Sequence, residues 1–201
     1  MTGTPPKPTS DPARRQLVLQ TAARLLRHYG PMKTTIADIA REAGIGVGSV
    51  YLEFCSKDDI VEALSSDGHG RVIAAMRDAL SVEGPWADRL RAMLDARFAA
   101  FFQLSDEGAH AADLLCCERS AVQSVHKRFL EEQHALVTGF LADAHRAGEF
   151  AVDDADAAAH ALLTAYETLT PPFLYARCRE GAEARQASLH HLVLRGLLRR
   201  G

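Results

Sequence analysis

Two pairs in this chain carry the Glu-x-x-His spacing with which helical bundles hold metal ions: Glu107 with His110, and Glu131 with His134. A helix brings residues three apart onto one face, so each pair could offer a carboxylate and an imidazole to iron or manganese. Their positions speak against it: Glu131 falls opposite the apolar stripe of its helix, and Glu107 falls at a helix start. Nine histidines in 201 residues also make chance pairs common. Four cysteines, Cys55, Cys116, Cys117 and Cys178, show no C-x-x-C spacing. They read as small core residues of a reducing compartment, with a redox-sensing Cys116–Cys117 pair as the alternative. No G-x-S-x-G elbow or glycine-rich phosphate loop is present. The expectation is therefore no catalytic residue, no metal and no cofactor, with a di-iron carboxylate enzyme as the competing class.

Other polar residues fall where apolar ones belong. Over 86–104 the helical period puts Trp86, Leu90, Met93, Leu94 and Phe101 on one side, with Arg97 among them. A buried Arg needs an anion, either an internal carboxylate such as Asp113 or Glu118, or the acidic group of a bound molecule. Over 121–147 the stripe Val122, Val125, Phe129, Val137, Phe140 and Ala144 contains His126 and Gln133. The stretch 108–119 adds His110, Leu114 and Cys117. These patterns predict an apolar cavity edged by Arg97, His110, His126 and Gln133 and walled by Trp86, Met93, Phe101 and Phe140. Satisfied core polar groups without a ligand are the bland alternative.

The elements that must position these residues are helices throughout. Hydrophobic content is 47% and aromatic content 6%, which suits an Ala- and Leu-rich helical core. Three- and four-residue apolar steps predict nine helices: from Pro12 to Gly30, 36–43, 46–54, 57–80, 86–104, 108–119, 121–147, 153–176 and 183–199. No stretch alternates like a strand, so the fold class is all-α. Residues 1–11 read as a disordered tail, 12–60 as one domain and 61–201 as a second. No window is long and apolar enough for a membrane span and no secretory signal opens the chain, so a cytoplasmic location is expected. The net charge is −3, but residues 1–60 carry eight Lys/Arg against six Asp/Glu, while the rest carries fifteen against twenty. A mildly basic head on an acidic body suits a protein that meets phosphates at one end only.

Within that head, two short helices flank the turn Gly44-Ile45-Gly46, a helix-turn-helix pattern. The run Thr34-Thr35-Ile36-Ala37-Asp38-Ile39-Ala40-Arg41-Glu42-Ala43-Gly44-Ile45, followed by Gly48-Ser49-Val50-Tyr51, Phe54 and Ser56-Lys57, resembles the DNA-binding domain of TetR-family transcriptional regulators over about residues 14–62. The resemblance implies a homodimer that binds a palindromic operator in double-stranded DNA and answers to a small-molecule effector, with repression the commoner mode. It implies DNA contacts from Lys33, Thr34, Thr35, Gly46, Val47, Gly48, Ser49, Tyr51 and Lys57. Ile39, Ala40, Ile45, Val50 and Phe54 would then be core. It also implies an effector pocket enclosed by the fourth to seventh helices and a dimer built from the last two, through stripes such as Ala158, Leu162, Ala165, Tyr166 and Leu169 or Leu189, Leu192, Val193, Gly196 and Leu197. The chain departs from the family at Val47, where Lys or Arg is common, and at Leu52-Glu53. A carboxylate at 53 is expected to weaken phosphate binding unless it pairs with a base, Lys33, Arg41 or Lys57. Gly68 and Gly70 should weaken the fourth helix and make it a lever.

Overall fold

The computed structural model describes residues 10–116, 118–175 and 179–197. Among them are eight α-helices and two short 3-10 turns: α1 (Pro12–Tyr29), α2 (Ile36–Ala43), α3 (Val47–Tyr51), α4 (Lys57–Ser81), α5 (Trp86–Ser105), a turn Ala111–Leu114, α6 (Ser120–Arg146), α7 (Ala155–Ala165), a turn Glu167–Leu169, and α8 (Arg179–Leu197). No strand occurs among the described residues, so the architecture is all-α. None of the described helices is long and apolar enough to cross a membrane. The expected tail lies almost wholly outside the described residues, as do Cys117 and Cys178.

Local chemistry starts and stops these helices. Asp11 accepts a bond from Ala13 N ahead of Pro12 at the first position of α1. Thr35 and Asp38 bond reciprocally at the start of α2, and Gly44 ends it at φ 67°. Ser56 accepts from Asp59 N at the head of α4, where Asp58 and Asp59 suit the helix dipole. Asp154 caps α7 the same way.

Apolar faces collect into two cores. Val18, Ala22 and Leu26 of α1 pack with Ile39, Val50, Phe54 and the first turns of α4. A larger core joins the rest of α4 to α5, α6, α7 and α8, around Met76, Leu90, Met93, Phe101, Leu141 and Tyr166. Consecutive residues after the first 3-10 turn divide between them: Leu114 enters the smaller core and Leu115 the larger.

Three elements differ from the pattern reading. The stretch 108–119 is not a helix, because its backbone is drawn onto α1: His110 N donates to Arg27 O at 2.9 Å, leaving only the turn Ala111–Leu114. The predicted helix 153–176 stops at Ala165, since Pro171 and Pro172 supply no N–H for another helical turn. The last helix starts earlier than the pattern implied, at Arg179. Burial also corrects one apolar stripe: Leu162, Tyr166 and Leu169 are buried within their own chain rather than offered to a partner.

The fourth helix runs unbroken through both glycines, but they differ in kind. A Cβ on Gly68 would stand 2.9 Å from Leu115 Cδ2, whereas one on Gly70 would meet open space. Gly70→Ala is therefore expected to raise unfolding free energy by up to about 1 kcal/mol. Gly68→Ala should lower it, because moving the packed Leu115 costs about 1–3 kcal/mol and outweighs the propensity gain. Urea denaturation of the two variants checks both signs.

Candidate functional site

On the head, α2 and α3 present a small exposed surface above the smaller core. Gly44 in the left-handed conformation turns the chain sharply, and Ile45 packs beneath the turn. Ile39, Ala40, Val50 and Phe54 are buried, while Val47 is 42% exposed and Tyr51 52%. Lys33, Thr35, Gly46 and Gly48 are exposed and Ser49 is half-buried, so all share reach to solvent with Val47 and Tyr51. The arrangement offers a hydroxyl, a methyl-bearing side chain and close backbone approach, the chemistry of phosphate contact and groove reading.

Two residues expected at this surface hold it up from beneath. Thr34 is 2% exposed, with Oγ1 donating to Gly30 O at 3.0 Å. Lys57 Nζ donates to Pro31 O at 2.7 Å and to Thr34 O at 3.1 Å, so its charge is spent on the carbonyls of the turn before α2. Thr35 divides its hydroxyl between capping α2 and bonding Asp38 Oδ2 at 2.6 Å.

Glu53 pairs with the start of α1 rather than with the cations expected beside this surface. Its carboxylate accepts from Asp11 N at 3.0 Å, Ser10 Oγ at 2.7 Å and Arg14 Nε at 2.7 Å, and Arg15 donates to its backbone carbonyl at 3.0 Å. The bonds from the Asp11 amide and Ser10, then the Arg14 charge, hold its pKa down to about 2. None of Lys33, Arg41 or Lys57 is the partner; Arg41 pairs with Asp38 instead. The carboxylate that threatened to repel phosphate is thus a clamp fastening the start of α1 behind α3.

In the body, a cavity of about 680 Å³ opens between α5, α6 and α7. Arg97, His126 and Gln133 line it together. Arg97 is 3% exposed; Nε donates to Gln133 Oε1 at 3.0 Å and one terminal nitrogen to Thr170 Oγ1 at 2.6 Å, and the guanidinium lies over the Phe101 ring at 5.3 Å. Neither Asp113 nor Glu118 reaches it: Asp113 bonds His110 at 3.0 Å instead. Burial lowers the Arg97 pKa to about 10, still charged at neutral pH. His126 stands 3.3 Å from His69 across α4 and α6, and burial, then the Arg97 charge, pushes its pKa down.

The remaining expected lining residues lie elsewhere. Trp86 and Phe140 meet at 5.2 Å as a tilted pair with Arg89 over the indole, in another part of the larger core. Met93 and Phe101 are fully buried core. His110 sits at the junction of body and head, its ring against the Gly30 backbone. That junction escaped the sequence reading. Glu107 pairs with Arg27 of α1 at 2.8 Å and Arg71 of α4 at 2.6 Å, and Gly108, at φ 156°, lies so close to Arg27 that a Cβ would be 2.7 Å from its carbonyl oxygen. With Glu107 so engaged, the Glu-x-x-His pairs do not converge. Among the described residues no group of three or more His, Cys, Asp or Glu is placed to hold a metal ion.

Comparison with known proteins follows the same division. Residues 18–64 match the family model described as bacterial regulatory proteins, tetR family, and residues 87–190 match the tetracyclin repressor-like C-terminal domain. The HTH-type transcriptional repressor KstR2 of Mycobacterium tuberculosis is 34% identical over 88 residues, 44% of this chain and 44% of that protein. The HTH-type transcriptional regulator BetI of Agrobacterium fabrum is 30% identical over 97 residues, 46% of this chain and 45% of its own. The chain thus spans about half the length of the curated relatives it matches. Among solved structures, a TetR-family regulator from Syntrophomonas wolfei superposes with TM-score 0.71 at 21% identity, covering 94% of this chain and 98% of that one. FadR from Bacillus subtilis in complex with stearoyl-CoA gives 0.69 at 18%, covering 90% and 98%. At such identities these two share the fold.

The Glu53 clamp makes a testable statement about acid. Because its folded pKa of about 2 lies below the ordinary 4.5, its contribution to stability is complete above 4.5 and disappears as pH falls toward 2. Glu53→Gln should therefore melt below the wild type at neutral pH, with the gap closing across that window. Thermal melts at stepped pH check it.

Proposed function

The chain belongs to the TetR family of bacterial regulatory proteins, and from that premise we propose that it is a cytoplasmic, ligand-responsive DNA-binding repressor without enzymatic activity. Residues 12–60 form the DNA-reading head, and residues 61–201 the ligand-binding and dimerising body. The observation that carries the reading is the exposed Val47, Gly48 and Tyr51 surface standing on its own small core, tied to a body that encloses a cavity with a buried charge.

Lys33, Thr35, Gly46, Val47, Gly48, Ser49 and Tyr51 would touch the operator, Tyr51 through its hydroxyl to a phosphate and Val47 against a thymine methyl. Thr34 and Lys57 serve by fixing the turn that carries them. Two such heads read a palindrome when two chains pair. Pairing through α7 and α8 is supported by their uncovered faces: Ala157, Ala161 and Ala165 are exposed on α7, and Leu192 on α8 is 69% exposed. Arg97, His126 and Gln133 would line the effector cavity. Occupation of that cavity bears on α5 and α6, and the segment joining those helices is the one clamped to α1 at Arg27. A shift there re-aims the head and releases DNA. On this reading the transmission runs through the 106–110 segment rather than through a hinge in α4.

Fluorescence polarisation against the DNA immediately upstream of this protein's own gene, across a salt series, tests the reading. Saturable binding that weakens with salt is expected. Val47→Asp should abolish it, and Tyr51→Ala should weaken it by about tenfold. Binding that ignores both substitutions would remove this surface from the account, and absence of binding at every salt concentration would remove the operator.

A further inference from the structure

Among the polar groups of the larger core, Arg97 alone combines full burial, a positive charge and an open cavity beside it. Its two side-chain bonds go to neutral acceptors, the Gln133 amide oxygen and the Thr170 hydroxyl, and its other terminal nitrogen has no hydrogen-bond partner among the described residues. Among the described residues no carboxylate pairs with it; its contacts are Gln133, Thr170 and the Phe101 ring. A guanidinium taken out of water without a counter-ion is costly, and folds keep one where an anion arrives to pair with it. Burial lowers its pKa only to about 10, so it keeps its charge instead of shedding a proton.

The rest of the cavity says what kind of anion. Leu130, Leu163, Phe173 and Pro172 supply apolar wall, which suits an apolar body. Toward α6 and α7 the lining carries Glu131, Asp156 and Glu167 beside the imidazoles of His134 and His160. Among the described residues, the ion-pair contacts of Glu131 and Asp156 are long, to Lys127 at 3.9 Å and to the His134 ring at 3.7 Å. Such a rim repels a second, multiply charged group. Building on the assignment of this cavity as the effector site, we propose that it takes a monocarboxylic acid with an apolar body, its carboxylate paired to Arg97 between Gln133 and Thr170. His126 lines the same cavity, its Nδ1 turned toward His69 Nε2 at 3.3 Å.

Calorimetric titration of the full chain with decanoate and decanamide, cinnamate and cinnamamide, and decanoyl-coenzyme A tests this. In the wild type at least one acid should bind about tenfold or more tighter than its amide, and the coenzyme A thioester more weakly than decanoate. Arg97→Gln should erase the preference for acid over amide. Gln133→Glu keeps Arg97 and gives it an internal carboxylate where an amide oxygen already accepts its proton; it should raise the melting temperature while erasing the same preference. Acids binding no better than their amides, failing to bind, binding below the thioester, or keeping their advantage in both variants would each overturn the assignment. Selective acid binding that leaves DNA affinity unchanged would support the assignment and instead count against the regulatory reading on which it rests.

Discussion

A crossing of chain over helix fastens in register the two halves of this molecule, whose cores α4 and α6 already share. The segment between α5 and α6 could have continued as surface loop, but Glu107 reaches Arg27 and Arg71 together, Gly108 lies directly on the Arg27 backbone, and His110 N bonds the same residue's carbonyl. Everything functional on the head depends on where α1 lies, since α1 forms the floor beneath α2 and α3. Everything in the cavity depends on α5 and α6, which this segment connects. A half-exposed ion pair is worth little alone. Here the bridging carboxylate serves two arginines from two helices, and the close backbone approach fixes its position. Glycine is required at 108 because any side chain would strike Arg27.

Charge is used differently in the two halves. On the head, Glu53 is neutralised locally by Arg14 and the Asp11 amide, so its charge is tied to the start of α1. In the interior the opposite holds. Arg97 is surrounded by an amide, a hydroxyl and an aromatic ring, a set that orients the guanidinium without neutralising it. A site that must accept an anion reversibly cannot already contain one.

The sequence made the local features legible and left the long-range ones hidden. The turn at Gly44 follows from neighbours within a few residues and the burial of Ile39, Val50 and Phe54 from the family resemblance, and the structure has both. Arg97, His126 and Gln133 were visible as polar residues on apolar faces, and they do meet. Trp86, Met93, Phe101, His110 and Phe140 were grouped with them because helical period gives a face but not which neighbour covers it. Glu53 was misjudged for the same reason: its partner lies 39 residues away at the start of α1. The 108–119 stretch has helical periodicity, yet the bond to Arg27 O outweighs propensity over so short a segment. Paired arginines spaced far from Glu107 gave no signal at all in a single sequence.

The claim that this crossing is needed to couple the two cores fully can be tested without ligand or DNA. The only tryptophan, Trp86, packs against the larger core and reports on it alone, while far-ultraviolet circular dichroism reports on all helices. Urea unfolding should give coincident transitions by the two probes in the wild type. In Gly108→Ala, which forces the crossing off α1, helicity should begin to fall before Trp86 fluorescence changes, as the smaller core melts by itself. Coincident transitions in that variant would contradict the account, because the cores would then be coupled without the crossing.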